Sequence, residues 1–212
     1  MHILFDLDGT LCNTEEGVVK SALYALQKMG WPLPPQKDMV RFIGPPLGES
    51  FREICGMPPE SVEEATEGFR ERYSQEGKFE NFLYPGMEEL LKTLFLKGEP
   101  LYVATSKLLE PALEILERHG VTQYFRRICG STADGRLYEK TGIVGEILRE
   151  IPVGEPVIMV GDTYFDVIGA HENHIPCVAV GYGFAPEGSL GEADYFCETM
   201  ADLSAFLQKG VL

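Results

Sequence analysis

A short apolar segment that ends in two aspartates constrains the fold of this chain more than any other feature. Residues 2–5 have the pattern of a buried strand, and the sequence DLDGT (residues 6–10) follows directly. Because side chains at i and i+2 of a strand point the same way, Asp6 and Asp8 project together where the strand ends. Two adjacent carboxylates repel unless a cation or a proton separates them. The segment therefore predicts a divalent-metal site with a carboxylate nucleophile and a second carboxylate for proton transfer, the alternative being a turn with two solvated acids.

The size and charge of the chain narrow the class of protein. Its 212 residues, 44% of them hydrophobic, suffice for one large domain or for a core with a smaller insert. The formal net charge of −15 argues against nucleic acid or a membrane surface as a partner, and a phosphate site would have to supply its own cations. We expect no signal peptide and no membrane-spanning helix. Five widely spaced cysteines without a C-x-x-C pair indicate reduced thiols, so we expect a cytoplasmic protein.

The chain changes character along its length. Residues from about 15 to 80 show only helical patterns, whereas short apolar strands alternate with helices after about residue 84. This alternation predicts an α/β fold with a doubly wound parallel sheet. We therefore expect an α/β core domain of residues 1–14 and 81–212 and an inserted all-helical domain of residues 15–80. Within the insert, Ser61 and Glu64 predict a capping box at the start of a helix.

Polar residues follow three of the predicted strands. They are Asp6 and Asp8 after the first strand, Thr105 and Ser106 after residues 100–104, and Asp162 after residues 157–160. Ligands of open α/β sheets bind beyond the carboxyl ends of the strands. We therefore expect these side chains to converge at one edge of the sheet.

These motifs, in this order, resemble those of the haloacid-dehalogenase-like superfamily of phosphohydrolases, and the resemblance covers nearly the whole chain. The four matching motifs are residues 5–10, residues 103–107, Lys140 and residues 160–166. The resemblance implies a Rossmann-like core, and the helical insert resembles the small helical cap of the superfamily. Residues 13–18, 42–47 and 83–86 resemble the phosphoglycolate-phosphatase-like branch.

The resemblance implies a role for each acidic motif residue. Asp6 would be the nucleophile that forms an aspartyl-phosphate, and Asp8 would transfer protons while its backbone carbonyl binds the metal. Asp162 would complete a Mg²⁺ site with these two residues, because oxygen ligands suit this ion. Asp166 would orient Asp162, a metal-bound water or Lys140 without binding the metal itself.

The remaining motif residues would bind phosphate and substrate. Thr105 and Lys140 are expected to be catalytic, the first through its hydroxyl and the second by neutralising the phosphoryl group and Asp6. The expected substrate-binding residues are Gly9, Thr10, Ser106, Glu15 and Gly44. Lys107 remains open between a substrate contact and a surface charge. The glycine-containing segment 181–183 lacks a third glycine and a following helix, so it is interpreted as a turn rather than a nucleotide loop.

The sequence thus predicts a Mg²⁺-dependent phosphatase that acts on a small metabolite as a monomer or weak homodimer. Phosphoglycolate, a nucleoside monophosphate, pyrophosphate and a sugar phosphate all remain open as substrates, since Lys140-Thr141 replaces the Lys-Pro of much of the branch. The alternatives are a phosphomutase acting on a sugar phosphate and a non-catalytic phosphate-binding protein. A dehalogenase is disfavoured because it does not need a second aspartate, which is present here as Asp8.

Overall fold

A computed structural model of the chain describes residues 1–186 and 188–209. Within these residues the strands are β1 (His2–Phe5), β2 (Cys12–Asn13), β3 (Phe82–Leu83), β4 (Leu101–Leu108), β5 (Phe125–Ser131), β6 (Val157–Gly161), β7 (Cys177–Val180) and β8 (Tyr195–Cys197). The α-helices are α1 (Glu15–Lys28), α2 (Leu47–Cys55), α3 (Pro59–Gln75), α4 (Met87–Leu96), α5 (Leu109–Arg118), α6 (Lys140–Leu148), α7 (Tyr164–Glu172) and α8 (Met200–Lys209). Short 3₁₀ helices cover Gln36–Phe42, Gly77–Phe79 and Thr122–Tyr124. None of the described helices is long and apolar enough to cross a membrane.

The main sheet has six strands in the order β5-β4-β1-β6-β7-β8, and every neighbouring pair is parallel. The strand β1 is central, since Phe5 pairs with Val103 of β4 on one side and with Val160 of β6 on the other. The carboxyl ends of these three strands therefore lie side by side. The predicted α/β fold with a doubly wound parallel sheet is confirmed.

Helices cover both faces of this sheet, which explains why residues 3–5 of β1 and 157–160 of β6 form unbroken apolar runs. Alternate residues of β1 enter different cores, with Ile3 and Phe5 in one cluster and Leu4 in the other. The first cluster includes residues of α4, α5 and α8, and the second includes residues of α6 and α7. Burial on both faces fixes the register of β1 and hence the position of the two aspartates that follow it.

Two local predictions were wrong. The helix α3 begins at Pro59, so Ser61 lies inside it and cannot form the predicted capping box with Glu64. Proline favours the first helical position because its fixed φ suits the start of a helix. The strand β4 does not end before Thr105 but continues to Leu108, with a register irregularity against β5. The edge strand β8 had no prediction, because it has three residues and a largely exposed Phe196.

The chain forms two compact units. The core unit comprises Met1–Cys12 and the chain from Leu83 onward, and the helical unit comprises Asn13–Phe82. In the helical unit α1 packs against α3, and Gly68 of α3 approaches Ala25 of α1 closely enough that a Cβ on Gly68 would lie 3.3 Å from Ala25 Cα. Small residues at this crossing let the two helices pack tightly.

We expect Gly17→Ala to destabilise the helical unit. A Cβ at this position of α1 would lie 2.0 Å from the backbone oxygen of Gly77, so the two segments would have to separate. Overpacking of this kind typically costs about 1–3 kcal/mol, and we expect a loss of that size in the free energy of unfolding by urea.

Gly48 of α2 provides the matched control for this prediction. Gly48 lies in the first turn of α2, where a Cβ would meet only the end of the Val62 side chain, at 3.3 Å, and alanine is a better helix former than glycine. Gly48→Ala is therefore expected to be neutral or stabilising. Equal losses in both variants would contradict the close-packing interpretation of Gly17.

Candidate active site

Asp6 and Lys140 form the centre of a buried charged cluster at the carboxyl edge of the sheet. Asp6 follows β1 directly, and Lys140 is the first residue of α6; both are almost completely buried. The Lys140 Nζ lies 2.7 Å from Asp6 Oδ1 and 2.7 Å from Asp166 Oδ1. It also donates a hydrogen bond to the backbone oxygen of Ala104, the residue before Thr105, at 3.0 Å. The lysine therefore joins the residue after β1 and the middle of β4 to the start of α7.

Asp166 has two functions in this arrangement. Its Oδ2 accepts hydrogen bonds from the backbone N–H (3.0 Å) and the hydroxyl (2.8 Å) of Thr163, which completes a capping box at the start of α7. Its other oxygen contacts Lys140. A capping box was predicted at Ser61 and Glu64, but the one that the structure contains is formed by Thr163 and Asp166. It fixes the direction of the Asp166 carboxylate.

Asp6, Asp162 and Asp166 offer carboxylate oxygens that lie within 4.8 Å of one another, and all three residues are buried. Burial raises the pKa of Asp6 to about 7; the Lys140 ammonium opposes this shift, while Asp166 and Asp8 add to it. Burial also raises the pKa of Asp162 well above its usual range, and the charges of Asp166 and Asp6 reinforce the effect. Three buried carboxylates thus face one ammonium group.

This excess of negative charge fits a divalent cation. The ligand atoms available are all oxygens, which is the donor set that Mg²⁺ prefers. Burial lowers the pKa of Lys140, but the carboxylates of Asp166 and Asp6 outweigh it and raise the pKa above its ordinary value. The lysine therefore stays charged. The residues present suit a site in which Lys140 and a bound cation together neutralise the three carboxylates.

Asp8 is not one of the three clustered carboxylates and forms an ion pair of its own. Its Oδ2 forms an ion pair with Lys107 Nζ at 3.0 Å, and both side chains are nearly buried. The sequence left Lys107 undecided because a lysine after a strand is usually a surface charge. The local sequence does not show this pairing, because the strand register is irregular between Thr105 and Leu108 and the partner lies far away in the chain.

The core unit also contains four of the residues predicted to bind phosphate or substrate. Thr105 is buried, and its hydroxyl accepts a hydrogen bond from the backbone N–H of Lys107 at 3.2 Å, while Ser106 is half-buried. The Thr10 hydroxyl donates to Asp162 Oδ1 at 3.3 Å, and Gly9 has a φ of 80°. A Cβ on Gly9 would lie 2.0 Å from Asp162 Oδ2, so only glycine fits this turn.

The other two predicted substrate residues belong to the helical unit. Glu15 is the exposed first residue of α1, and its backbone N–H donates to Asn13 Oδ1 at 3.1 Å. Gly44 lies between the 3₁₀ helix and α2 with a φ of 102°, a left-handed conformation that favours glycine. Their contact with substrate remains a prediction.

The sequence did not reveal that the loop of residues 181–184, which follows β7, contacts Asp162. The backbone N–H of Phe184 donates to Asp162 Oδ2 at 2.8 Å, and a Cβ on Gly183 would lie 2.2 Å from Asp162 Cβ. The segment is a turn, as predicted. The two glycines directly after a buried strand were the signal for a close approach of the backbone to another group.

A parallel α/β sheet with a strand-end aspartate, a buried lysine and a cluster of buried carboxylates at its carboxyl edge is typical of enzymes that act on anionic groups. The chain belongs to the haloacid dehalogenase-like hydrolase family, whose sequence profile matches residues 3–180. The predicted superfamily and the predicted enzyme class, a phosphoric monoester hydrolase, are confirmed.

Individual relatives extend over nearly the whole chain. A 5'-nucleotidase of Pseudomonas aeruginosa is 37% identical over 210 residues, which cover 98% of this chain and 95% of the relative. The tyrosine-protein kinase PtkA of Mycobacterium tuberculosis is 37% identical over 198 residues, and these cover 93% of this chain but 65% of the kinase. The crystal structure of a predicted phosphatase from Clostridium acetobutylicum superposes with a TM-score of 0.91 at 35% identity, covering 98% of both chains.

The raised pKa of Asp6 predicts that the contribution of this residue to the stability of the metal-free protein is lost as the pH rises from about 4 to about 7. Asp6 has an ordinary pKa of 3.8 and a folded-state pKa of about 7, so the folded chain holds an extra proton between these values. The stabilising contribution of that proton is complete below the lower value and is lost as the pH rises through the upper one. Denaturant unfolding in EDTA at a series of pH values measures this trend.

Asp6→Asn is the control for the pH trend, because the amide does not titrate. We expect the unfolding free energy of this variant to fall less steeply over the same pH range. Parallel pH profiles for wild type and Asp6→Asn would show that Asp6 does not titrate as described.

Proposed function

We propose that this protein is a Mg²⁺-dependent phosphatase that hydrolyses phosphate monoesters of small cytoplasmic metabolites through an aspartyl-phosphate on Asp6. One observation carries the proposal: the Asp6 carboxylate is buried at the sheet edge, 2.7 Å from Lys140, with Asp162 and Asp166 beside it. A carboxylate held in this way is positioned to attack a phosphoryl group while its partner lysine offsets the charge of both.

The proposed reaction has two steps. A carboxylate oxygen of Asp6 attacks phosphorus, the bond between phosphorus and the ester oxygen breaks, and Asp8 donates a proton to the departing oxygen. Asp8 then removes a proton from water, whose oxygen attacks the phosphorus and releases inorganic phosphate and the free Asp6 carboxylate. Mg²⁺, held by Asp6, Asp162 and the backbone carbonyl of Asp8, would supply positive charge that stabilises the phosphoryl oxygens.

Several groups of the core unit are suited to hold the transferred phosphate. The Thr105 hydroxyl and the Ser106 amide would bind its oxygens, together with the Gly9-Thr10 turn. Lys140 would balance the negative charge on Asp6 and on the phosphoryl group. Asp166 would keep Lys140 and the start of α7 in place, which its two sets of contacts support.

The helical unit is proposed to act as a cap that selects the leaving group and excludes water during transfer. Glu15 and the turn at Gly44 are the residues of this unit that we expect to face the substrate. We further propose a monomer or weak homodimer without nucleic-acid or membrane partners, in keeping with the net charge of −15.

A nucleoside 5'-monophosphate is the first candidate substrate, and phosphoglycolate is the second. The similarity to a 5'-nucleotidase over 98% of the chain supports the first. The resemblance of residues 13–18, 42–47 and 83–86 to the phosphoglycolate-phosphatase-like branch supports the second.

A panel of phosphorylated metabolites tests the proposal. We expect Mg²⁺-dependent release of inorganic phosphate from p-nitrophenyl phosphate and from at least one metabolite, and we expect EDTA to abolish it. Ranking the panel by kcat/KM identifies the substrate class. An isomeric sugar phosphate formed without free phosphate would indicate a mutase, and no turnover of any substrate would favour a non-catalytic phosphate-binding protein.

A further inference from the structure

Asp162 is enclosed between two glycines, Gly9 on one side and Gly183 on the other. We propose that the loop of residues 181–184 is a positioning element that orients Asp162 for Mg²⁺ binding, with Gly183 and the Phe184 amide as its essential groups. The inference rests on the proposed function for the identity of the metal. It adds a segment outside the four motifs to the machinery of the site.

The fit around Asp162 leaves no room for a side chain at Gly9 or at Gly183. A Cβ on Gly183 would lie 2.2 Å from Asp162 Cβ and 2.3 Å from its Oδ2, and a Cβ on Gly9 would lie 2.0 Å from the same Oδ2. Contacts below 3.0 Å do not occur for real Cβ atoms, so any side chain at either position has to displace the carboxylate or the backbone. Asp162 itself has no exposed surface.

Hydrogen bonds from both sides fix the two carboxylate oxygens of Asp162. The Thr10 hydroxyl donates to Oδ1 at 3.3 Å, and the Phe184 N–H donates to Oδ2 at 2.8 Å. Each oxygen of an ionised carboxylate accepts about two hydrogen bonds or metal contacts, so one such donor leaves room for a cation on each oxygen. A backbone donor cannot change rotamer, and it therefore holds the carboxylate in one orientation.

The loop is itself anchored to the elements that form the site. The Tyr182 hydroxyl donates to the backbone oxygen of Thr10 at 3.1 Å, which joins the loop to the turn after β1. The Tyr182 ring packs edge-on against Tyr84 with centroids 4.7 Å apart, and the Gly181 N–H donates to Cys197 in β8 at 2.9 Å. A shift of the loop would therefore move Thr10 and Asp162 together.

Partners that orient a metal ligand affect metal affinity strongly. Their substitution typically lowers metal affinity about 10–100-fold without removing a ligand. The φ of Gly183 lies outside the left-handed region, so an alanine there tests the close contact with Asp162 rather than backbone strain. Gly191 lies in the same connection between β7 and β8, and a Cβ there would meet its nearest atom, Gly188 O, at 3.9 Å.

The experiment compares Gly183→Ala with the control Gly191→Ala in the full chain. Titration calorimetry with Mg²⁺, without substrate, measures the Kd directly. We expect Gly183→Ala to raise the Kd about 10–100-fold and Gly191→Ala to leave it unchanged. At saturating Mg²⁺ we expect Gly183→Ala to regain most of its kcat, because the loop acts only through Asp162. Circular dichroism and thermal unfolding check that both variants are folded.

Two further measurements do not depend on the folding of Gly183→Ala. Tyr182→Phe loses one hydrogen bond that anchors the loop, and we expect its Mg²⁺ Kd to rise about twofold to tenfold. In the wild type, the NMR resonance of the Phe184 amide should shift as Mg²⁺ is added, because this amide donates to an oxygen of Asp162, a proposed ligand. The Kd fitted to that shift should equal the Kd from calorimetry.

The outcomes separate this inference from the proposed function. A wild-type chain that binds Mg²⁺ and hydrolyses phosphate monoesters, with a Kd that Gly183→Ala changes less than twofold, would overturn the inference alone. An unmoved Phe184 resonance at saturating Mg²⁺ would do the same. A wild-type chain that binds no Mg²⁺ would overturn both.

Discussion

Asp6→Asn is expected to reduce kcat by at least about a thousandfold, because a neutral amide is a poor nucleophile towards phosphorus. The substitution keeps the shape of the side chain, so substrate binding should change little. Steady-state phosphate release with the best substrate of the panel, at saturating Mg²⁺, measures the effect. Rapid acid quench with ³²P-labelled substrate should trap a phosphoryl-enzyme in the wild type and none in the variant.

The stability of Asp6→Asn provides the control for this prediction. Burial raises the pKa of Asp6, so its ionised form opposes folding near pH 8 when no metal is bound. We therefore expect the metal-free variant to be at least as stable as the wild type at this pH. Near-normal turnover by a well-folded Asp6→Asn would refute the assignment of the nucleophile.

Lys140→Met is expected to be the most destabilising single change in the site. It removes the ammonium that lies 2.7 Å from both Asp6 and Asp166 and leaves two buried carboxylates unpaired. Loss of one partner from a buried ion pair typically costs about 3–5 kcal/mol. Denaturant unfolding in EDTA measures this loss. Turnover at saturating Mg²⁺ should fall about 10²–10³-fold, because the lysine also balances charge on the phosphoryl group.

A double variant tests the electrostatic origin of this instability. Adding Asp166→Asn to Lys140→Met removes one of the two unpaired charges, while the asparagine keeps a side-chain oxygen that accepts the hydrogen bond from the Thr163 N–H. We expect the double variant to be more stable than Lys140→Met alone. A cost of less than 1 kcal/mol for Lys140→Met would mean that the buried carboxylates do not depend on the lysine.

The parts of the fold that the sequence predicted were those with a strong local pattern. Apolar segments such as residues 3–5 and 157–160 indicated strands buried on both faces, and their regular alternation with helices indicated a parallel sheet. The site followed from the same rule, since parallel strands place their carboxyl ends at one edge. Asp6 and Asp162 were therefore predictable as neighbours without knowledge of any distance.

The features that escaped prediction depend on contacts between distant residues. The pair of Lys107 with Asp8 joins residues 99 positions apart, and no local pattern distinguishes this lysine from a solvated one. The bond from Phe184 to Asp162 uses a backbone amide, which every residue except proline possesses. The capping box was assigned to Ser61 rather than Thr163, because both segments satisfy the same short rule and only the preceding Pro59 shifts the helix start.

The central place of β1 in the sheet affects how the protein is made. Ile3 pairs with Leu101 and Ile158, which the ribosome adds long after it. At about 5–20 residues per second, the nascent chain carries this apolar segment without its neighbours for about 5–20 s before β4 is synthesised. The three carboxylates first meet after Asp166 has left the exit tunnel, so the pocket cannot exist before β1, β4 and β6 have all been synthesised.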